Sequence, residues 1–207
     1  MSSDPIIDRR RGIGGGLAIV VSGPSGAGKN SVIDRVIEQL PGLEFSVSYT
    51  TRARRPRERE GIDYCYVSDA EFDRLLAAGE FVEHVTYSGN RYATARCQID
   101  QTIADGCDVI LNIDVEGAKT LRRTGLGPHA VVYVFLVPSS LHRLEERLQA
   151  RGTETDDQIA HRLTVAAREM ETLPLFDFLV INDDFEDAVS ELRTIVLAER
   201  LRITMER

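Results

Sequence analysis

Residues 23 to 31, Gly23-Pro24-Ser25-Gly26-Ala27-Gly28-Lys29-Asn30-Ser31, have the types and spacing of a loop that grips phosphate. Gly23, Gly26 and Gly28 let the backbone turn tightly and aim successive N–H groups inward, and Lys29 adds a mobile positive charge at the start of a helix. Such a loop holds the β- and γ-phosphates of a nucleotide. The stretch fits G-x-x-x-x-G-K-[ST] through Lys29 and then places Asn30 where a hydroxyl is expected. The plainer alternative is a glycine-rich turn with Lys29 solvated. A dinucleotide fingerprint fits less well, because the glycines run G-x-x-G-x-G and the other glycine cluster, within residues 12 to 16, comes before the strand.

A second chemical stretch is Ser46 to Arg59, SVSYTTRARRPRER. Arginine captures a phosphate monoester with two parallel N–H groups, so part of this run forms a second anion site distinct from the loop. Glu58 and Glu60 interrupt the positive charge, and Arg54, Arg57 and Arg59 read as a solvated turn.

The elements that must position these groups are legible in the hydropathy. LAIVV before the loop is a short buried strand, and SVIDRVIEQL after it spaces apolar residues as a helix from Ser31 to Leu40, closed by Pro41-Gly42. Further strands are expected at Glu44 to Tyr49, Tyr64 to Val67, Phe81 to Tyr87, Val109 to Ile113, Val131 to Val137 and Phe178 to Asn182. Helical patterns fall at Asp69 to Ala78, Ala95 to Asp105, Glu116 to Thr124, Leu141 to Gln149, Asp157 to Glu171 and Phe185 to about Met205. Very apolar strands alternating with helices mark a parallel sheet covered on both faces, whereas the strands between about 45 and 98 alternate polar with apolar, as a small inserted sheet does.

Composition narrows the class. At 207 residues the length suits one domain, and a net charge of −8 argues against a general nucleic-acid binder. Cys65, Cys97 and Cys107 are odd in number and lack metal-ligand spacing, which reads as reduced thiols of a cytoplasmic enzyme. The first residues carry two acids and no apolar core of a signal peptide, and no apolar run approaches a membrane span.

With these residues in view, the chain resembles a guanylate kinase. The matching stretches are SGPSGAGK (22 to 29), FSVSYTTRARRP (45 to 56), GIDYCYV (61 to 67), GEFVEH (79 to 84), SGNRYAT (88 to 94), NIDVEGA (112 to 118), RLQARGTET (147 to 155) and VINDD (180 to 184). The resemblance implies an α/β fold with a P-loop NTPase-type core and central parallel sheet, a small inserted mixed α/β region that binds GMP, and a helical lid. Its parts divide as a leader (1 to 16), core with phosphate loop (17 to 46), GMP-binding insertion (47 to 98), core (99 to 138), lid (139 to 162), and core with C-terminal helix (163 to 207).

By the same resemblance Ser48, Arg52, Arg55, Tyr64 and Tyr92 hold the nucleoside monophosphate, with Thr94 near the base. Glu83 reads guanine: a carboxylate accepts from N1–H and from the 2-amino group, and adenine would leave it unpaired. Asp114 orients magnesium-bound water and approaches the base; taken from the residues alone it is equally a helix N-cap, and the two roles coexist. Lys29, Arg52, Arg147, Arg151 and Arg162 surround the transferring phosphate. Residues 23 to 31, Arg147 and Asn182 contact ATP. The implied cofactor is Mg2+ carried with ATP, the partners are ATP and GMP, and monomer and homo-oligomer both fit.

This chain departs from the family pattern at Asn30, at Ala93 in place of glycine, and at Asn112 and Glu116 in place of aspartate and glutamine. Asn30 is a candidate metal ligand, since an amide oxygen can bind a hard cation. The departures leave an alternative function, a guanylate kinase-like interaction module that has lost catalysis. Against it, the loop lysine and lid arginines are kept.

Overall fold

The computed structural model describes residues 16–202 apart from 88 and 153, and the side chain of Arg151 is not described. The leader therefore lies outside the described residues except for Gly16. Two sheets organise the chain. β1 (Leu17–Ser22), β2 (Leu43–Phe45), β7 (Asp108–Asn112), β8 (Ala130–Val137) and β9 (Phe178–Ile181) form a parallel sheet in the order β2-β7-β1-β8-β9. β3 (Tyr49–Thr50), β4 (Cys65–Tyr66), β5 (Phe81–Tyr87) and β6 (Asn90–Ala95) form a mixed sheet in the order β4-β3-β6-β5.

The parallel sheet is apolar on both sides because helices cover both. Alternate residues of β1 divide between two cores. Leu17, Ile19 and Val21 face Val32, Ile33 and Val36 of α1 (Lys29–Gln39) and Leu192, Ile195 and Val196 of α7 (Phe185–Glu199). Ala18 and Val20 face the other way, toward Ile99 of α3 (Arg96–Ala104) and Ala118 and Leu121 of α4 (Val115–Thr124). Each β1 residue is thus buried, and the strand ends at the C-terminal edge, where ligands bind in an open α/β sheet. Val82 of β5 joins the second core, which fastens the small sheet to the large one. The remaining helices are α2 (Asp69–Ala77), α5 (Leu141–Arg151) and α6 (Asp156–Met170). Among the described residues no helix is long and apolar enough to cross a membrane.

Three sequence expectations are corrected. The single strand from Glu44 to Tyr49 is two strands in different sheets. Ser46 N still donates to Ile110 O of β7 at 2.9 Å, while Ser48 O already accepts from Cys65 N at 2.9 Å, so the backbone changes partners within two residues. Continuous alternation cannot reveal such an exchange. β6 was not expected as a strand; it is polar at its start and pairs between β3 and β5. The last helix stops at Glu199 instead of near Met205, because Arg200 turns back to Asp108 Oδ2 at 2.6 Å and to the carbonyls of Pro41 and Gly42. Ala93, by contrast, sits as an ordinary strand residue of β6, in keeping with the normal backbone its side chain requires.

Aromatic packing fills the space between β8, α4 and the end of α6. Phe135 of β8 is fully buried and meets Phe176 at 4.9 Å, with Val115 of α4 and Met170 of α6 around it. Phe135→Ala is expected to lower the unfolding free energy by about 3–5 kcal/mol in urea denaturation with an unchanged m-value. A loss below about 1 kcal/mol would mean that the neighbouring rings close the gap.

Candidate active site

The loop from β1 to α1 is shaped by glycines. Gly23 has φ 133°, and a Cβ there would run into the Leu136 carbonyl of β8. Gly28 is the N-cap of α1 with φ 91°, and no side chain caps the first turn, so the N-terminal amides of α1 face the loop. Lys29 Nζ donates to the carbonyls of Gly23 at 2.6 Å and Pro24 at 3.1 Å, lying back along the loop it follows. Ser31 lies in the first turn of α1.

The neighbouring elements close on this loop. A Cβ at Gly26 would fall 2.9 Å from Leu148 Cδ2 and 3.1 Å from Leu144 Cδ1, so α5 rests directly on it. Ala27 O accepts from Asn182 Nδ2 at 2.7 Å and from Arg147 Nη1 at 3.2 Å, and Arg147 Nη2 donates to Asn182 O. Arg162 Nη1 donates to Ser25 Oγ at 2.8 Å, while its other terminal nitrogen pairs with Glu154 at 3.1 Å. Lys29, Arg147, Arg162 and Asn182 therefore converge on one loop from four elements. Arg143 Nε lies 3.4 Å from Asp183 Oδ2. Arg151 ends α5, and its side chain lies outside the described residues.

The second site lies on the small sheet. Arg52 stacks over Tyr64, 5.3 Å from guanidinium to ring, and Tyr64 meets Tyr92 at 5.9 Å. Ser48 lies at the strand exchange beside them. Arg55 is the exception among the expected phosphate ligands, for its side chain is exposed. Arg54, Arg57 and Arg59 are exposed as the charge pattern predicts.

At the base end, Glu83 and Thr94 are register partners on β5 and β6, and Thr94 Oγ1 donates to Glu83 Oε1 at 2.6 Å. Both are almost fully buried, at 4% and 1% exposure. Burial pushes the Glu83 carboxyl up to about 7, the Asp114 charge adds to the rise, and the Thr94 bonds oppose it. Asp114 is indeed the N-cap of α4, accepting from Gly117 N at 2.7 Å, and burial raises its pKa as well.

Three residues of the site were missed by sequence reasoning. Glu58 bonds Arg52 Nη2 at 2.7 Å, Arg55 N at 2.9 Å and Tyr66 Oη at 2.6 Å, and the Arg52 bond leads in holding its carboxyl down at about 2. One acid embedded in an arginine run was the available signal. Gly117 is where the Glu83 carboxylate approaches α4: a Cβ there would fall 2.5 Å from Glu83 Oε2. Glu169, near the end of α6, has its pKa raised by burial and lowered by the Lys29 charge, so α6 brings an acid to the loop side of the site. Only the fold places it there.

A glycine-rich loop between a parallel strand and a helix, at the carboxyl edge of a doubly covered sheet, defines a P-loop nucleotide-binding α/β protein. Residues 16–199 match the guanylate kinase family model. A guanylate kinase of Symbiobacterium thermophilum is 43% identical over 187 residues, covering 90% of this chain and 87% of the relative. One from Legionella pneumophila strain Paris is 43% identical over 91% of this chain and 88% of its own. The crystal structure of guanylate kinase from Anaplasma phagocytophilum superposes with a TM-score of 0.74 at 30% identity, covering 91% of this chain and 88% of that one. The chain belongs to the guanylate kinase family.

Three predictions arise from Glu83 and its surroundings. In the role the resemblance implies, Glu83 accepts two N–H groups only when ionised, so KM for GMP is expected to rise about tenfold per pH unit below about 7 and to level off above it. In Glu83→Gln only the substrate's own phosphate ionisation should remain in the profile. Because the folded pKa lies above the unfolded 4.5, ionised Glu83 costs the ligand-free fold about 3 kcal/mol above pH 7 and nothing below about 4.5. Glu83→Gln should therefore raise Tm at pH 8 more than at pH 5, and equal shifts would contradict the assigned pKa. Separately, Gly117→Ala suits the helix but displaces the Glu83 carboxylate, so KM for GMP should rise about tenfold or more while Tm holds. An unchanged KM would show that Glu83 can move aside at no cost.

Proposed function

We propose that this chain transfers the γ-phosphoryl group of ATP to GMP, and to dGMP, giving ADP and the nucleoside diphosphate. The observation that carries the acceptor's identity is the buried Glu83–Thr94 pair beside Asp114, an acceptor-rich pocket in a sheet otherwise lined by Arg52 and tyrosines. Guanine offers two adjacent donors to such a pocket, and adenine offers an acceptor at N1.

In this reading the glycine loop and the first turn of α1 hold the β- and γ-phosphates of ATP, with Lys29 rotating from its carbonyl partners onto them. Asn182 and Arg147 brace the loop through Ala27 O and line the ATP side. Arg52, with Tyr64 and Tyr92, takes the GMP phosphate; Arg55 swings in from solvent, and Ser48 lies at the rim of the same pocket. Arg162 and Arg151 of the 139–162 lid add positive charge over the transferring group, where it offsets charge on the equatorial oxygens. The reaction is direct displacement by a GMP phosphate oxygen, with positioning and electrostatics as its means. In this scheme residues 47–98 carry the acceptor and residues 17–46, 99–138 and 163–207 the donor.

Among the described residues no three or more His, Cys, Asp or Glu gather as a metal site. The oxygen donors near the loop, the Asn30 amide and the Asp114 carboxylate, suit a Mg2+ that keeps waters and leans on substrate phosphates. Carried in with ATP, the ion would supply positive charge to offset that of the phosphates. Asp114 would hold it through water, with the Asn30 amide beside it. The free thiols Cys65, Cys97 and Cys107 support a reducing, cytoplasmic setting.

The deciding experiment is ADP release from MgATP with GMP, dGMP, AMP, CMP or UMP in parallel. Turnover is expected with GMP and dGMP and at least about a hundredfold less with the others, the discrimination a buried unpaired acceptor imposes. GMP binding without turnover would overturn the kinase reading in favour of an interaction module.

A further inference from the structure

Three of the positions at which this chain leaves the family pattern fall around one point. Asn30 is the second residue of α1, and Asn112 is the last of β7. The β1–β7 register sets Val21 beside Asn112, so β7 delivers residue 112 to the flank of the loop that leads into α1. There Asn112 Nδ2 donates to Asn30 Oδ1. Four residues on, Glu116 supplies a carboxylate in the first turn of α4, bonded to Lys119 at 2.7 Å, and its charge acts on Asp114. The segment NIDVEGA therefore keeps the acid content of the family pattern while moving one acid from the strand end to the helix.

A hydroxyl at 30 and a carboxylate at 112 form a donor–acceptor pair bearing one negative charge, in which the hydroxyl proton points at the carboxylate and the oxygen lone pairs stay free for a cation. The pair present here is also donor and acceptor, with the amide N–H of 112 pointing at the amide oxygen of 30, and it is neutral. Changing one partner alone gives half of either arrangement.

We propose that Asn30 and Asn112 act as one positioning unit: a neutral amide couple that ties the first turn of α1 to the end of β7 and leaves the cation side of the loop without a carboxylate at 112. This rests on the reading of the chain as an ATP-dependent GMP kinase. Its consequence is that the divalent cation is recruited by the nucleotide's phosphates, with Asp114 as the nearby carboxylate, and that positions 30 and 112 are exchangeable only together.

The test is a double-mutant cycle of Asn30→Ser, Asn112→Asp and both, read as the Mg2+ concentration needed to saturate the change in fluorescence of a fluorescent ADP bound to the full chain. The double variant is expected to need about tenfold less Mg2+, at least about threefold beyond the product of the single effects. Affinity for the same ADP in EDTA is measured beside it, and a gain in EDTA as large as the gain with Mg2+ would overturn the reading, because it would mark a change in the loop itself. Single effects that multiply to the double, or Asn112→Asp alone giving the whole shift, would overturn the coupling. If the serine variant unfolds, Asn30→Thr takes its place in the cycle. No GMP enters the measurement, so failure of the phosphoryl-transfer reading appears in the ADP-release assay and failure of the coupling appears here.

Discussion

Close backbone approach at the glycine loop is the constraint on which the rest depends. Gly23 admits the Leu136 carbonyl, Gly26 admits Leu144 and Leu148, and Gly28 admits the Asn182 amide, which a Cβ would meet at 2.5 Å. Three separate elements, β8, α5 and the end of β9, thereby reach the same few residues of backbone. An L side chain at any of the three would meet both an unfavourable positive φ and an occupied space. The loop is therefore the point at which these elements assemble, and Arg147 and Asn182 complete it by sharing Ala27 O.

The acceptor side is governed by two carboxylates in opposite environments. Glu58 lies among donors, Arg52, Arg55 N and Tyr66, and remains an anion at any ordinary pH. Glu83 is buried beside a hydroxyl and near a second acid, and is poised close to neutrality. Environments that drive two like groups apart assign them different work. Glu58 fixes the direction of Arg52, and in the proposed reading Glu83 recovers the cost of its burial when guanine supplies two donors.

Much of this was readable in the sequence, and the reasons differ by element. The phosphate loop was legible because its chemistry is local: glycines, lysine and flanking periodicity sit within a few turns of chain. Glu83, Arg52 and Tyr92 were reached through several motifs in register. What the sequence hid was partnership at a distance. Residues 44 to 49 alternate smoothly although the backbone passes from one sheet to the other at Ser46–Ser48. Asn30 and Asn112 stood out singly as departures, and only the β1–β7 register makes them neighbours. Gly117 resembled any helical glycine until the β5 carboxylate was placed against it.

The pair α5 and α6 carries a small core of its own, in which Leu144, Leu148, Ile159 and Ala166 pack with Leu163 apart from the two cores of the sheet. Such a cluster makes a cooperative unit of low free energy, able to open as a whole while the sheet stays folded. In terms of native-state hydrogen exchange, the amides of α5 and α6, apart from the end of α6 where Met170 packs against Phe135 of β8, are expected to form a separate exchange class from those of β1, β7 and β8. Since α5 meets the loop at Gly26, a nucleotide held in the loop would protect that class first.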